Sequence, residues 1–446
     1  MKKIIYWFRN DLRLHDQPIL KQFEKSEDVL LLPVFCFDER WFLKHKLGFT
    51  KTGSFRTKFL IETVNNLKSN LQKLGSDLLI TYGKSEEVIY ELVNKFNAAE
   101  IYAEKEDTSE EIFIEEELKK RLNIPIHYHE SKTLLSTNQL PFSISNLPDI
   151  FTNFRKKVEP LLYLVESIQP PEKLPPFPDE FRNAEIVIAS SDEVGTKQSQ
   201  IIELMSNSNI DSDKRAVLHF IGGEDEGLKR LNKFIWQDKS ILHYKETRNQ
   251  LIGESYSSKF SPWLANGSLS ARKIISEIKK FEKEVEANES TYWLVFELLW
   301  RDYFRFVAKK YGNKIFLRYG IRNKKTDYIN DPELFEMWRT GKTGNDFVDA
   351  NMIELLKTGF MSNRGRQNVA SYLCKDLKID WRWGASWFES QLIDYDVASN
   401  WGNWMYVAGV GNDPRENRYF NVNKQEEMYD ADKSYRRLWF KEKLND

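Results

Sequence analysis

The first 130 residues alternate between two periods, and that alternation constrains the fold more than any other feature of the chain. Short apolar runs stand at 3–8 (KIIYWF), 29–37 (VLLLPVFCF), 77–82 (DLLITY), 99–103 (AEIYA) and 124–129 (IPIHYH), with helical patterns at 54–74, 85–97 and 108–122. Strands that are apolar on both faces must be covered on both sides, so the pattern predicts a doubly wound parallel sheet with intervening helices. The second helix opens on Ser85, a cap-like residue. Ligands of such a sheet sit beyond the carboxyl ends of its strands, which makes 9–16 (RNDLRLHD) the first candidate site. No G-x-G-x-x-G follows the strand. The GKT at 341–343 has Glu336 where a phosphate loop needs glycine.

From about 135 to 213 the composition shifts. Pro160, Pro170, Pro171, Pro175, Pro176 and Pro178 cluster there, followed by a polar tract, ASSDEVGTKQSQ. This reads as a long connection rather than a third folded unit. Beyond 214 helical periodicity dominates, most clearly over 291–310 (TYWLVFELLWRDYFRFVAKK). The expected organisation is an α/β domain over 1–134, a linker over 135–213 and an all-α domain over 214–446. The halves also differ in charge: residues 1–213 hold 27 Lys+Arg against 34 Asp+Glu, and 214–446 hold 39 against 33. The second half carries 11 of the 13 Trp. A basic, aromatic half suits an anionic ligand or nucleic acid, though charge also drifts between domains without consequence.

Several classes are excluded. With 29 Phe, 19 Tyr and 13 Trp the chain has ample apolar area for a core. No run approaches the length of a membrane span, and the apolar start MKKIIYWFRND is too short for a secretory signal. Cys36 and Cys374 form no C-x-x-C, so neither a disulfide framework nor a cysteine metal site is expected. The six His are scattered without H-E-x-x-H, and His127 and His129, at strand spacing near an edge, read as ordinary surface positions rather than a metal pair. No metal is expected, and no G-x-S-x-G nucleophile elbow is present.

Three segments of the second half carry chemistry. In 244–270 (YKETRNQLIGESYSSKFSPWLANGSLS), Tyr256, Ser257, Ser258 and Ser261 surround Lys259, with Arg248 upstream. Clustered hydroxyls with one cation suit a diphosphate; the same residues would also make a Ser-rich turn before a capped helix. In 291–310, Glu297 stands one turn from Arg301 among Trp293, Phe296, Leu298 and Trp300. The acid either pairs with Arg301, which is the favoured reading, or is kept for a substrate. The third segment, 358–404, packs Asn363, Arg364, Arg366, Trp381, Asp394, Asp396, Asn400 and Trp404 together and holds five Trp in all. Asp394 and Asp396 flank one Tyr, so an extended backbone turns both carboxylates to one side, where they need donors: Arg366 for one, a ribityl or imide group for the other. Trp383 and Trp387 also read as ordinary core.

Taken together, YWFRNDLRLHD, YSSKFSPWLANGSLS, FELLWRDYFRF, TGFMSNRGRQNVASYL, IDWRWG and DYDVASNWGNW resemble the photolyase–cryptochrome family, most of all its DASH-type branch. The resemblance runs from residue 3 nearly to the end and implies a helical domain holding a bent FAD. By position it assigns Tyr244, Ser257, Ser258, Lys259, Phe260, Ser261, Arg301, Asn363, Arg366, Asp394, Asp396 and Asn400 to FAD, with Asn400 opposite the flavin N5. Glu297, Trp300, Gln367 and Tyr406 match the pocket for a pyrimidine dimer; Arg248, Arg364 and Arg418 match contacts to phosphates of the flipped lesion. Glu297 and Asn400 would be the catalytic residues.

The implied activity is blue-light repair of cyclobutane pyrimidine dimers by electron transfer from reduced FAD, a deoxyribodipyrimidine photo-lyase. Gln367 and Tyr406 stand where duplex-acting photolyases usually carry Met and Trp, so single-stranded DNA is the expected substrate. The electron relay that reduces the flavin matches Trp404 and Trp381. Its outermost position falls on Tyr328 where the family usually has Trp, so another route, through Trp338 or Trp383, is the alternative. Glu106 matches the position that holds a methenyltetrahydrofolate antenna; an exposed acidic helix start is the competing reading. A blue-light photoreceptor is the second functional reading, against which stands the lack of a long polar tail after NWGNW. A flavoprotein that does not use light is the third. A monomer in the cytoplasm is expected.

Overall fold

The computed structural model describes residues 1–182, 187–188, 213–415 and 418–440. Five strands fall where the apolar runs predicted: β1 (Lys2–Phe8), β2 (Val29–Asp38), β3 (Leu79–Gly83), β4 (Glu100–Glu104) and β5 (Ile126–His129). A short β6 (Val187–Ile188), which the sequence did not announce, pairs with β3. All pairings are parallel and the order is β5-β4-β1-β2-β3-β6. β1 shows why the run is continuous: Ile5 and Trp7 enter the core on one face, Ile4, Tyr6 and Phe8 the core on the other. The helices Ser54–Lys73, Ser85–Phe96 and Ser109–Arg121 match their patterns within a residue or so. A further helix, Pro18–Phe23, begins on a proline whose missing N–H costs nothing at a helix start.

Two local expectations are corrected. Ser85 does not cap its helix; Lys84 occupies that position, and the Ser85 hydroxyl donates to Asp38 Oδ2 at 2.8 Å. His129 is not a surface residue: its ring turns inward, with Nε2 3.3 Å from the Tyr6 hydroxyl and 3.4 Å from Glu104. Asp11, Glu104 and His129 thereby offer ligand atoms within 4.8 Å of one another. The carboxylate oxygens already accept from Arg9 N, Tyr6, Gln17 and Ser131, so both acids are satisfied, while His129 Nδ1 is buried without a partner.

The second half is helical. Its centre is the helix Glu289–Tyr311, started by an Asn288 capping box with Thr291. Within 135–213, the helix Phe151–Val158 sends Phe151 and Phe154 into the core that also holds Leu298, Leu299 and Tyr303. The first part of the connection is therefore a strap built onto the helical half; its polar tract at 189–200 lies outside the described residues.

The loop after β1 joins the halves. Arg13 Nη1 donates to the carbonyl of Gly267 at 2.9 Å, and Gly267 (φ +73°) lies so close to Asn10 that a Cβ would stand 2.0 Å from its carbonyl oxygen. Glu224 accepts from the backbone N–H groups of Leu14 (2.8 Å) and His15 (2.9 Å) and meets His15 Nδ1 at 2.5 Å. Arg272 Nε reaches Asp16 at 2.9 Å. The 9–16 loop is thus chiefly an interdomain clasp, with Arg9 and Asn10 lining a cavity. Burial opposes ionisation of Glu224, but His15 and the two N–H groups outweigh it and hold the carboxyl below its ordinary value. A depressed folded-state value stabilises above the unfolded value of 4.5 and is lost as pH falls through the folded one. Glu224→Ala should therefore cost about 3 kcal/mol in a denaturant melt at pH 7. The deficit relative to wild type should shrink below about pH 4.

Candidate functional site

Every residue assigned to the diphosphate and ribityl groups, Asn400 apart, lines one cavity of about 270 Å³. Asn400 lines an adjoining cavity of about 100 Å³ with Trp404, and Asn363, Arg366, Asp394 and Asp396 border both. Two helix starts aim the key groups. Ser362 accepts from Gly365 N at 2.9 Å, starting the helix Asn363–Ser371 so that Asn363 and Arg366 share a face. Asp396 accepts from Ser399 N at 2.8 Å, starting Val397–Ala408, on which Asn400 and Trp404 follow at one-turn intervals. Asn400 is steadied by its own N–H to Ala385 O at 3.1 Å.

The two carboxylates do turn to one side, and each has an arginine. Arg366 Nη2 meets Asp394 Oδ2 at 2.8 Å, as the spacing suggested. Asp396 is held by Arg305, whose other nitrogen lies 3.1 Å from Asp107 of the α/β half. Burial opposes ionisation of Asp396, but Arg305 and then Arg301 keep its carboxyl below the ordinary value.

Other expectations are revised. Glu297 does not pair with Arg301. It pairs with Arg248, while Arg301 donates to the carbonyls of Lys132 and Leu264 (2.6 and 3.2 Å). Burial raises the Glu297 carboxyl above its ordinary value, with Arg248 pulling the other way. Lys259 directs its ammonium to the carbonyls of Gly253 and Glu254 (3.1 and 2.8 Å) and over the Tyr256 ring, and burial, then Arg230, pushes it down to about 6. Glu106 is buried, not an exposed helix start: Lys132 pairs with it and Asn10 donates to it at 3.2 Å.

A third cavity, about 290 Å³, opens beside the first two and shares Asn363 with both. Arg248, Glu297, Trp300, Gln367, Tyr406 and Arg418 all line it. Trp300 is stacked on Phe151 at 3.7 Å and meets Tyr406 edge-on at 5.7 Å. Arg418 donates to the Tyr406 hydroxyl at 3.0 Å. Arg364 does not line this cavity; it donates to Gln367 and Asn249, each at 2.9 Å, and so orients the wall. Of the relay positions, Trp404 borders the inner cavity, Trp381 is fully buried with its ring 5.6 Å from Trp401, and Tyr328 is buried.

Sequence reasoning missed Arg305, Asp107, Ser399 and Asn403. A signal for Arg305 existed: Glu297, Arg301, Arg305 and Lys309 recur every four residues on one helix, a charged stripe whose last two members meet Asp107 of the other half. Asp107 gave none, because its partners Arg305 and Lys309 are distant in the chain; Ser399 and Asn403 bond only within their own helix, and their place at the cavity depends on how that helix packs.

The donor set fits FAD. Asp394 Oδ1 and the Tyr256 hydroxyl are buried without a hydrogen-bond partner, beside a cavity lined by hydroxyls and guanidinium groups. A ribityl chain and an imide would satisfy such atoms. Residues 4–178 match the family model described as DNA photolyase, and 293–445 the one described as FAD binding domain of DNA photolyase. A Cryptochrome DASH of Synechocystis sp. is 49% identical, covering 99% of this chain and 88% of its own. One of Xenopus laevis is 48% identical, covering 98% and 82%. A crystal structure of a Synechocystis sp. cryptochrome superposes with a TM-score of 0.92 at 48% identity, covering 100% and 90%. A class III photolyase of Agrobacterium tumefaciens superposes at 0.81 with 25% identity, covering 99% and 87%. With the α/β sheet, the helical FAD-binding domain and full-length relatives in agreement, the chain belongs to the photolyase–cryptochrome family.

Proposed function

We propose that this protein repairs cyclobutane pyrimidine dimers under blue light, preferentially in single-stranded DNA. The observation that carries the reading is the outer cavity, which adjoins the flavin-sized cavities and is walled by one acid, five aromatic rings and three arginines. Bound FAD, reduced and photoexcited, would supply the electron that opens the dimer's cyclobutane ring and would take it back. The chain's own residues do the rest. Trp300, backed by Phe151, gives the dimer a rigid face, and Asn363 and Ser399 form the wall between dimer and cofactor. Glu297, with its carboxyl raised by burial, is placed to hydrogen-bond the dimer once Arg248 turns to a phosphate. Arg418 is the second cation at this mouth.

A dimer must leave its base stack to enter, at a cost of a few kcal/mol. Gln367 and Tyr406 grip it through polar edges rather than bulk, so less binding energy offsets unstacking from a duplex. Dimers in single strands escape that cost. In the α/β half, Glu106 borders cavities of about 90 and 600 Å³ at the carboxyl ends of β1 and β2, also lined by Phe35 and Trp41. We assign a methenyltetrahydrofolate antenna there. No helix among the described residues is long and apolar enough to cross a membrane; a monomer in the cytoplasm is the arrangement proposed.

Glu297→Gln should lower repair under blue light roughly ten- to a hundredfold, the worth of one charge-assisted hydrogen bond, with FAD content unchanged. Equal loss in the dark binding of dimer-containing DNA would instead mark a purely structural role. Competing single-stranded and duplex substrates should give faster repair of the single strand, and Gln367→Met with Tyr406→Trp should narrow the gap. Protein purified from a folate-containing host should release a pterin chromophore on denaturation, and Glu106→Leu protein should not.

A further inference from the structure

The outer end of the electron relay is the residue this chain changes, and its surroundings argue against Tyr328. That ring is buried, and its hydroxyl has no hydrogen-bond partner. Burial, and then Cys374, raises the hydroxyl above its ordinary value. A tyrosine gives up an electron readily only when its proton leaves at the same time, and no acceptor is in place to receive it. The guanidinium of Arg318 stands 5.5 Å from the ring, and a fixed positive charge there opposes forming a second.

A different path of rings leaves the flavin cavity. Trp404 meets Trp338 edge-on at 6.2 Å. Trp338 is stacked on Phe335 at 5.9 Å, and Phe335 meets Trp383 at 5.3 Å. Trp338 is fully buried, and its indole N–H is bonded to the Val369 carbonyl at 3.0 Å, so it can pass on a positive charge but not discharge a proton to water. Of the five Trp in 358–404, Trp383 alone is not buried. No cation stands over its ring among the described residues, whereas Arg318 stands over Tyr328 and Arg339 over Trp387 at 5.0 Å.

We propose that Trp383 is the terminal donor, reached from Trp404 through Trp338, with Phe335 as the medium between the last two indoles. The inference rests on the FAD reading above. Photoexcited oxidised flavin is the one-electron oxidant. Trp404 loses an electron to it and regains one from Trp338, which regains one from Trp383. The Trp383 radical cation releases its indole proton to bulk water, and an external thiol then returns one electron and one proton, ending as half of a disulfide.

Transient absorption and time-resolved EPR on FAD-loaded protein test this, with tryptic mass spectrometry after illumination in air as a readout independent of turnover. Wild type should give a long-lived neutral tryptophanyl radical and an oxygen adduct confined to Trp383. Trp383→Phe should remove the adduct, shorten the radical lifetime at least tenfold and slow thiol-dependent photoreduction to match. Tyr328→Phe should leave lifetime and adduct within twofold of wild type. A tyrosyl radical in wild type, or a Tyr328→Phe protein that loses the long-lived state while Trp383→Phe keeps it, would overturn the proposal. If FAD-loaded wild type forms no protein radical at all, the FAD electron-transfer reading fails with it, whereas a wild-type radical untouched by Trp383→Phe sinks the route alone.

Discussion

Arg305 ties the molecule together. It rises from the central helix of the helical half, is 4% exposed, and bridges Asp396 at the cofactor cavity to Asp107 of the α/β half. Lys309, one turn on, adds Asp107 (3.3 Å) and Glu130 (2.5 Å). Two carboxylates buried from opposite sides cannot both stay ionised without a cation between them, and removing it would leave charges that cost several kcal/mol. The same contact fixes how the halves sit, because each partner comes from a different one.

That geometry has a chemical consequence. Asp107 and Glu106 are neighbours, and both line the cavity where Arg305 also appears, so the cavity beyond β1 and β2 and the cofactor cavity share a wall of charged groups. The clasp around Glu224 and Asp16 closes the remaining side. A sheet edge that ordinarily binds a nucleotide alone is here covered by a second domain, and its loops serve as an interface.

Much of this was legible in the chain. The five apolar runs gave their strands because period and length leave little choice once both faces must be buried. That the residues expected at FAD would gather around common cavities was legible because 244–261, 363–366 and 394–400 are local clusters, each arranged by its own loop or helix start. The partner of Glu297 was not: Arg301 is its neighbour at one turn, yet Arg248, 49 residues away, reaches it instead. Lys259 read as a diphosphate cation, but backbone carbonyls of its own loop claimed it in a left-handed turn (φ +54°).

By itself the sequence determined which segments are strands and helices, and which short clusters carry hydroxyls, amides and carboxylates, since those depend on neighbours a few positions apart. Tertiary structure decided which arginine meets which acid, which indole is left at the surface and how the two halves share a buried charge. Those outcomes depend on burial and on distances between residues far apart in the chain, which periodicity and spacing do not encode.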